Sequence, residues 1–339
     1  MMSDEIELDQ AEAQALAMRA CLNAGANPES ARSLVAATLS AARFGPATLG
    51  FPHMLDYLNS FREGRINGDP APDLTRPFPA FLASDADGGI AQLGFDLAFG
   101  DFVDTARDLG IAILTQTNSY TTGELGYYVR RLAAEGLVGL AATNANAMVV
   151  TRPGGPAVYS TNPLAFGFPL GDGVPPLVID QSSSATAFVN IVAAAAEGRP
   201  IPEGWAVDAD GRETRNAEEA LEGALLPFGG RKGANVALLV EMLSAGLTGG
   251  PWSLDVPDFR SGSASPAVGL TVIAIMPGTA GEGRIARVRD HAHRLQEYGV
   301  YIPGVERTDV AQAFSKLLKM PRGVYDAVFA FASGSGTAT

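Results

Sequence analysis

Five short apolar runs constrain this chain more than any other feature. FLASDA, AILTQT, VGLAAT, PLVID and LTVIAIM are rich in β-branched residues and have the length of strands. Between them lie longer stretches with helical periodicity: DLAFGDFVDTARDLG, GELGYYVRRLAAEG and KGANVALLVEMLSAGLTGG. Strands alternating with helices define an α/β layer structure. Several connections are short and rich in Gly and Pro, so the sheet is expected to be mixed, with some antiparallel strands.

The first third of the chain reads differently. Asp9 can cap a helix that runs toward Gly25. The next helix has Pro28 near its start and Gly45 just past its end. A third spans Phe51 to Arg62, with Gly64 beyond it. Pro70, Pro72 and Pro77 mark a connection. From Ile285 the chain returns to helices and ends on the apolar VYDAVFAFA. These patterns group residues 1–76 with 285–339 as a helical domain and leave 77–284 as the α/β domain. The polar region from Glu197 to Arg215 reads as a long loop.

The charge balance narrows the partners. Lys plus Arg number 24 against 37 Asp plus Glu, a net charge of -13. Phosphate backbones and anionic membrane surfaces repel such a chain, so no nucleic acid and no membrane is expected. The opening MMSDEIELDQ is acidic and polar, unlike a signal peptide, and no apolar run reaches the length of a spanning helix. A cytoplasmic protein is expected. Cys21 is the single cysteine, on an amphipathic helix, and reads as a buried thiol. The histidines are His53, His291 and His293, too few and too scattered for a metal site, and none is expected. His291 and His293 sit in a charged helix and should face solvent.

Four segments are candidates for chemistry. TNSYTTGELGYY, from Thr117 to Tyr128, looks like a loop opening onto a helix, yet holds no histidine, cysteine or lysine. STNPLAFGFP, from Ser160 to Pro169, has two prolines and shapes a wall or a plain loop. LVIDQSSSATAF puts Asp180 at a strand end before Gln181, Ser182, Ser183 and Ser184. Those hydroxyls either cap the following helix or mark an anion site at its N-terminus. PFGGRKGANVALLVEML puts Arg231, Lys232 and Gly233 after two glycines and before an apolar helix. That arrangement suits a phosphate or a structural turn, and it lacks the spacing of a Walker loop.

Taken in order, AAEGLVGLAATN, STNPLAFGFP, LVIDQSSS, IPEGWAVDADG, ALEGALLPFGGRKG and IPGVER resemble one family along nearly the whole chain, from about Ala11 to Val328. It is the malate/L-lactate/L-sulfolactate dehydrogenase family of non-Rossmann NAD(P)H oxidoreductases, in particular its Δ1-piperideine-2-carboxylate/Δ1-pyrroline-2-carboxylate reductase branch. The resemblance implies a homodimer, with the helical domain serving dimerisation and substrate and the α/β domain binding cofactor. It implies that NAD(P)H is held by Asp180, Gln181, Ser182, Ser183 and Ser184, by Lys232 with Gly233, and by Pro303 with Gly304. Arg231 and Lys232 favour NADPH, with NADH possible.

Two departures from the family pattern set the expected chemistry. The family's Ser-His-Gly falls on Thr48, Leu49 and Gly50, and the spacing to a tyrosine is kept at Tyr57. A second family histidine falls on Thr121. Leu49 cannot donate a proton. Reduction of a ketone makes an alkoxide that needs one, whereas a cyclic imine arrives already protonated as an iminium. The expected activity is therefore NAD(P)H-dependent reduction of a small cyclic imine. The catalytic positions are Thr48, Thr121 and Asp180, the last stabilising positive charge or orienting cofactor. Tyr120, His53, Tyr57 and Asn162 are expected at the substrate. The alternatives are a 2-oxo acid/2-hydroxy acid dehydrogenase with a replaced proton donor, or a cofactor-binding homologue whose dehydrogenase activity is lost or changed.

Overall fold

The computed structural model describes residues 5–171, 173–278, 282–304, 315 and 317–334. Residues 305–307 of the IPGVER motif lie outside the described residues.

The centre is a seven-stranded sheet. In spatial order it comprises β2 (Asp73–Phe78), β3 (Phe81–Asp85), β4 (Ile111–Ser119), β13 (Val268–Ile275), β5 (Val138–Thr143), β8 (Leu164–Phe168) and β9 (Leu177–Gln181). Only the β3–β4 pair is parallel; the other pairs are antiparallel. β13 comes last in the chain yet sits in the middle, with Val272 opposite both Leu114 and Ala141. Its alternation shows why it fits there. Leu270, Val272 and Ala274 pack with α4 (Ala91–Leu109) and α5 (Gly126–Ala134) in one apolar core. Thr271 lies on the other face, where its hydroxyl donates to Leu243 O at 2.6 Å. Leu243 belongs to a π-helical turn, Met242–Gly246, that continues α8 (Arg231–Glu241).

The two chain ends meet in a helical layer. α1 (Gln10–Ala24), α2 (Pro28–Phe44) and α3 (Phe51–Arg62) share a core with Val328 and Phe331 of α10 (Arg322–Ala332). Asp9 and Gly25 bound α1 as the sequence reading expects. Asp9 and Glu12 form a capping box on α1, Asn27 caps α2, and Gly25 ends α1 with φ 108°. Asn23 Nδ2 donates to Phe331 O and Ala332 O at 3.0 Å. Two strands here were not anticipated: β1 (Glu5–Asp9) pairs antiparallel with β14 (Leu317–Pro321) and closes the layer. Cys21 is buried there, and burial pushes its thiol up to about 12, which leaves it inert. α9 (Glu282–Glu297) lies elsewhere, beside Gly171, and exposes His291 and His293.

The region from Glu197 to Arg215 is not one long loop. β10 (Ala206–Val207) and β11 (Glu213–Thr214) join β12 (Ala224–Leu225), β6 (Val149–Val150) and β7 (Ala157–Tyr159) in a small sheet. α6 (Phe188–Ala196) and α7 (Ala217–Leu221) pack on it around Ile191, Ala206 and Leu225. Strands of two residues carry no readable period, so polarity alone dominated the sequence signal.

Candidate active site

The connection between β4 and α5 is the hub of the site. Its side chains reach outward to α3, to the Phe259 segment and to α5. Thr121 Oγ1 lies 2.6 Å from the Tyr57 hydroxyl of α3, which also accepts from Gln92 Nε2 at 3.2 Å. The Tyr120 hydroxyl donates to Phe259 O at 2.9 Å and accepts from Ser60 Oγ at 2.7 Å. Burial pushes Tyr57 up to about 12 and raises Tyr120 as well, so both phenols stay neutral. Tyr120 is 0% exposed. It is a packed anchor in this structure, its hydroxyl committed to protein partners. His53 stacks edge-on against Tyr57 and Phe259, and its Nδ1 lies 2.8 Å from Asp56 Oδ2.

Glu124 was passed over in the sequence, where a single glutamate before a helix reads as an ordinary first-turn charge. In the fold its side chain is 2% exposed and forms an ion pair with Arg130. Arg130, 11% exposed, also donates to Ser40 Oγ at 3.1 Å and lies over the Phe44 ring. Gly45 explains how the α2–α3 connection comes so near, because a Cβ there would overlap Glu124 Oε1. That connection carries a 3-10 turn, Ala47–Leu49, on which Thr48 is exposed and Leu49 half-buried.

Asp180 approaches from β9. Its Oδ2 accepts from Gly126 N, at the start of α5, at 2.7 Å. Burial and then the Glu124 charge raise its carboxyl to about 6, while the Gly126 and Leu125 N–H groups and Arg130 pull the other way. Glu124 and Arg130 thus act on Asp180 in opposite directions, and Arg43 adds a second guanidinium to the wall they share. The Pro303–Gly304 turn docks on the same strand: Val178 N donates to Pro303 O at 3.2 Å, and a Cβ on Gly304 (φ 84°) would overlap Pro176 O. Asp180, Gln181, Pro303 and Gly304 thus line one cavity of about 460 Å³, together with Glu124, Arg130 and Gly45. Among the described residues, that lining includes no histidine, cysteine or lysine.

The remaining expected cofactor residues fall elsewhere. Gly229, Gly230 and Arg231 line a second cavity of about 950 Å³ with Arg152, Tyr159 and Trp205. Gly229 and Gly230 adopt φ 57° and 61°, and a Cβ on Gly233 would overlap Phe228 O, so the turn demands its glycines. Lys232 is exposed and is not part of the lining. The hydroxyl run sits between the cavities, and Ser184 bridges to Pro227. The capping alternative for it does not hold: α6 starts at Phe188 behind Ala187, with no side-chain cap. Ser183 Oγ donates to Asn162 O at 2.7 Å and Ser184 Oγ to Thr186 O at 2.6 Å. Asn162 is itself fully buried with φ 39°, its Nδ2 donating to Ala237 O and Glu241 Oε2, both at 2.8 Å. These residues hold the wall together through protein partners.

A largely antiparallel mixed sheet, flanked by a helical layer from both chain ends and carrying two cavities with charged side chains in their walls, is the architecture of a class of dehydrogenases and reductases distinct from parallel, doubly wound nucleotide-binding folds. A crystal structure of Δ1-piperideine-2-carboxylate reductase from Pseudomonas syringae superimposes with a TM-score of 0.89 at 32% identity, covering 96% of this chain and 99% of that one. The family model described as malate/L-lactate dehydrogenase matches residues 8–316, and the chain belongs to that family. Among relatives, Δ1-pyrroline-2-carboxylate reductase 2 of Burkholderia multivorans is 32% identical over 96% of this chain and 98% of its own. The (2R)-3-sulfolactate dehydrogenase (NADP(+)) of Chromohalobacter salexigens is 33% identical over 95% and 96%.

Proposed function

We propose that the protein is an NADPH-dependent reductase of a small cyclic 2-carboxylate imine, and that it works as a homodimer in the cytoplasm. The observation that carries this reading is the pair Glu124 and Asp180 on a cavity with no histidine, cysteine or lysine among its described lining residues. The residues fit a dinucleotide: Gly304 and Gly229–Gly230 open the backbone where a Cβ would intrude or strain, and the second cavity combines arginines with aromatic rings. Asp180, Gln181, Pro303 and Gly304 would hold one end and Arg231 the other. Nicotinamide, when bound, supplies the hydride.

The chain's own part is electrostatic. A cyclic imine binds as its iminium, so the nitrogen already carries its proton and the carbon accepts hydride to give a neutral amine. The Asp180 carboxylate, ionised above pH about 6, favours that cation. Arg130 lines the same cavity and is held there by its ion pair with Glu124. The paired hydroxyls of Thr121 and Tyr57 fix the connection that presents Glu124. Leu49, at the position where the resemblance puts a histidine, supplies no proton and is asked for none.

A second reading, reduction of a 2-oxo acid, draws on Asp180 itself, because a carboxyl near 6 can hold the proton an alkoxide needs. NADPH oxidation with Δ1-piperideine-2-carboxylate and with pyruvate, side by side, separates the two. Turnover of pyruvate alone would overturn the imine reading. The dimer draws support from Leu239, Met242, Trp252 and Leu254, large apolar side chains exposed on α8 and just beyond it. Light scattering on the purified protein tests it, and a monomeric mass would reject it.

A further inference from the structure

Resting on the cofactor reading above, we infer that Arg152 and Arg231 form a clamp for the phosphate on the adenosine ribose of NADPH, so that this cavity separates NADPH from NADH. Arg231 opens α8, while Arg152 follows β6, far away in the sequence. The fold places both on the wall of the 950 Å³ cavity. The turn that carries Arg152 is held by its backbone: Gly154 N donates to Gly211 O at 2.7 Å. Bonds are scarce at the two guanidiniums themselves. Among the described residues Arg152 Nη1 donates only to the neighbouring Pro153 O, at 3.3 Å. Among the described residues neither arginine has a carboxylate within ion-pair distance.

The rest of the lining completes a nucleotide site. Tyr159, Trp205 and Phe228 offer faces to an adenine ring. Glu203 and Glu213 line the same cavity. They are acceptors for ribose hydroxyls, and on their own they would repel a phosphate. The two arginines therefore decide the sign of the preference. Guanidinium forks match phosphate oxygens two at a time, which a lysine cannot do. Lys232, the other basic residue of the turn, stands outside the cavity. The discrimination belongs to a pair that no contiguous motif contains.

The test uses fragments, so it does not depend on turnover. Adenosine 2′,5′-bisphosphate and ADP would be titrated into the full-length protein by calorimetry. Fluorescence of a Trp252→Phe variant would follow in parallel, since Trp205 is then the single tryptophan. The bisphosphate should bind at least about tenfold more tightly than ADP, and Arg152→Ala and Arg231→Ala should each remove about tenfold of that preference. Arg212→Ala, which removes an exposed charge paired with Asp210, should leave the preference intact. Unchanged thermal unfolding of each variant excludes misfolding as the cause. Equal affinity for the two nucleotides in the parent protein, or a preference that survives both arginine substitutions, overturns the inference. Selective bisphosphate binding without reduction of imine or 2-oxo acid would overturn the catalytic reading and leave this one standing.

Discussion

The two cavities use similar residue types in opposite ways. In the first, Glu124 pairs with Arg130, Asp180 is bonded to the α5 N-terminus, and Glu124 is almost wholly withdrawn from water. In the second, Arg152, Arg231, Glu203 and Glu213 line the wall without ion pairs between them. Burial converts charge into a fixed internal field and moves a carboxyl to about 6. Exposure keeps charge solvated until a ligand of opposite sign arrives. One region is suited to bias a reaction, the other to select what enters.

The contrast breaks most visibly at Glu124. Removing one partner of a buried pair leaves the other charge uncompensated, at a cost of about 3–5 kcal/mol. Glu124→Ala should therefore lower the urea midpoint sharply, and Glu124→Gln less, because the amide still accepts a hydrogen bond. Arg152→Ala should leave the midpoint unchanged. Equal midpoints for Glu124→Ala and the parent would mean that the first cavity is as wet as the second.

Asp180→Asn is next in size. On the imine reading the catalytic form is the carboxylate, so the rate should rise as pH rises through about 6. The variant should lose about 10²-fold in kcat and flatten that limb. A rate that instead falls as pH rises through the same range would show Asp180 working as a proton donor on a ketone. Stability gives an independent check. The folded value of about 6 lies above the ordinary 3.8, so this carboxyl favours the fold fully below 3.8 and loses that contribution as pH climbs through about 6. Asp180→Asn should accordingly gain Tm relative to the parent at pH 8 and not at pH 4.

Leu49→His tests the empty donor position. It should raise pyruvate reduction by up to about 10²-fold while changing imine reduction little. Parity between parent and variant on the ketone would remove the argument from the missing acid.

How much of this was written in the sequence depends on the distance over which each feature is defined. α1, α2 and α3 were legible to their ends because Asp9, Gly25, Pro28 and Gly45 act within a turn of where they stand. β5 was legible because Val138–Thr143 is an uninterrupted apolar run buried in mid-sheet. β1 was not: its acidic residues face water, and its partner β14 lies at the other end of the chain. The site followed the same rule. Asp180 stood out at its strand end, but Glu124 acquires its meaning from Asp180, Arg130 and Gly45 together. Tyr120 looked available for substrate because nothing local announces that Phe259 takes its hydroxyl. Arg152 had no motif at all, and only the small sheet brings it to Arg231.

Salt gives the smallest effect and the finest test of the comparison. Exposed charges more than about a Debye length apart are largely screened near 0.15 M ionic strength, while buried pairs are screened much less. Raising potassium chloride from about 0.05 to 0.5 M should weaken bisphosphate binding at the second cavity several-fold, with ADP less affected. The pH midpoint near 6 set by Asp180 should stay nearly fixed over the same range, because Glu124 and Arg130 act on it from inside the protein. If that midpoint moved with salt as much as the affinity did, the first cavity would be open to ions, and the carboxyl's upward shift would owe little to burial. A fixed midpoint beside a salt-sensitive affinity would show that one chain keeps two electrostatic regimes apart by depth alone.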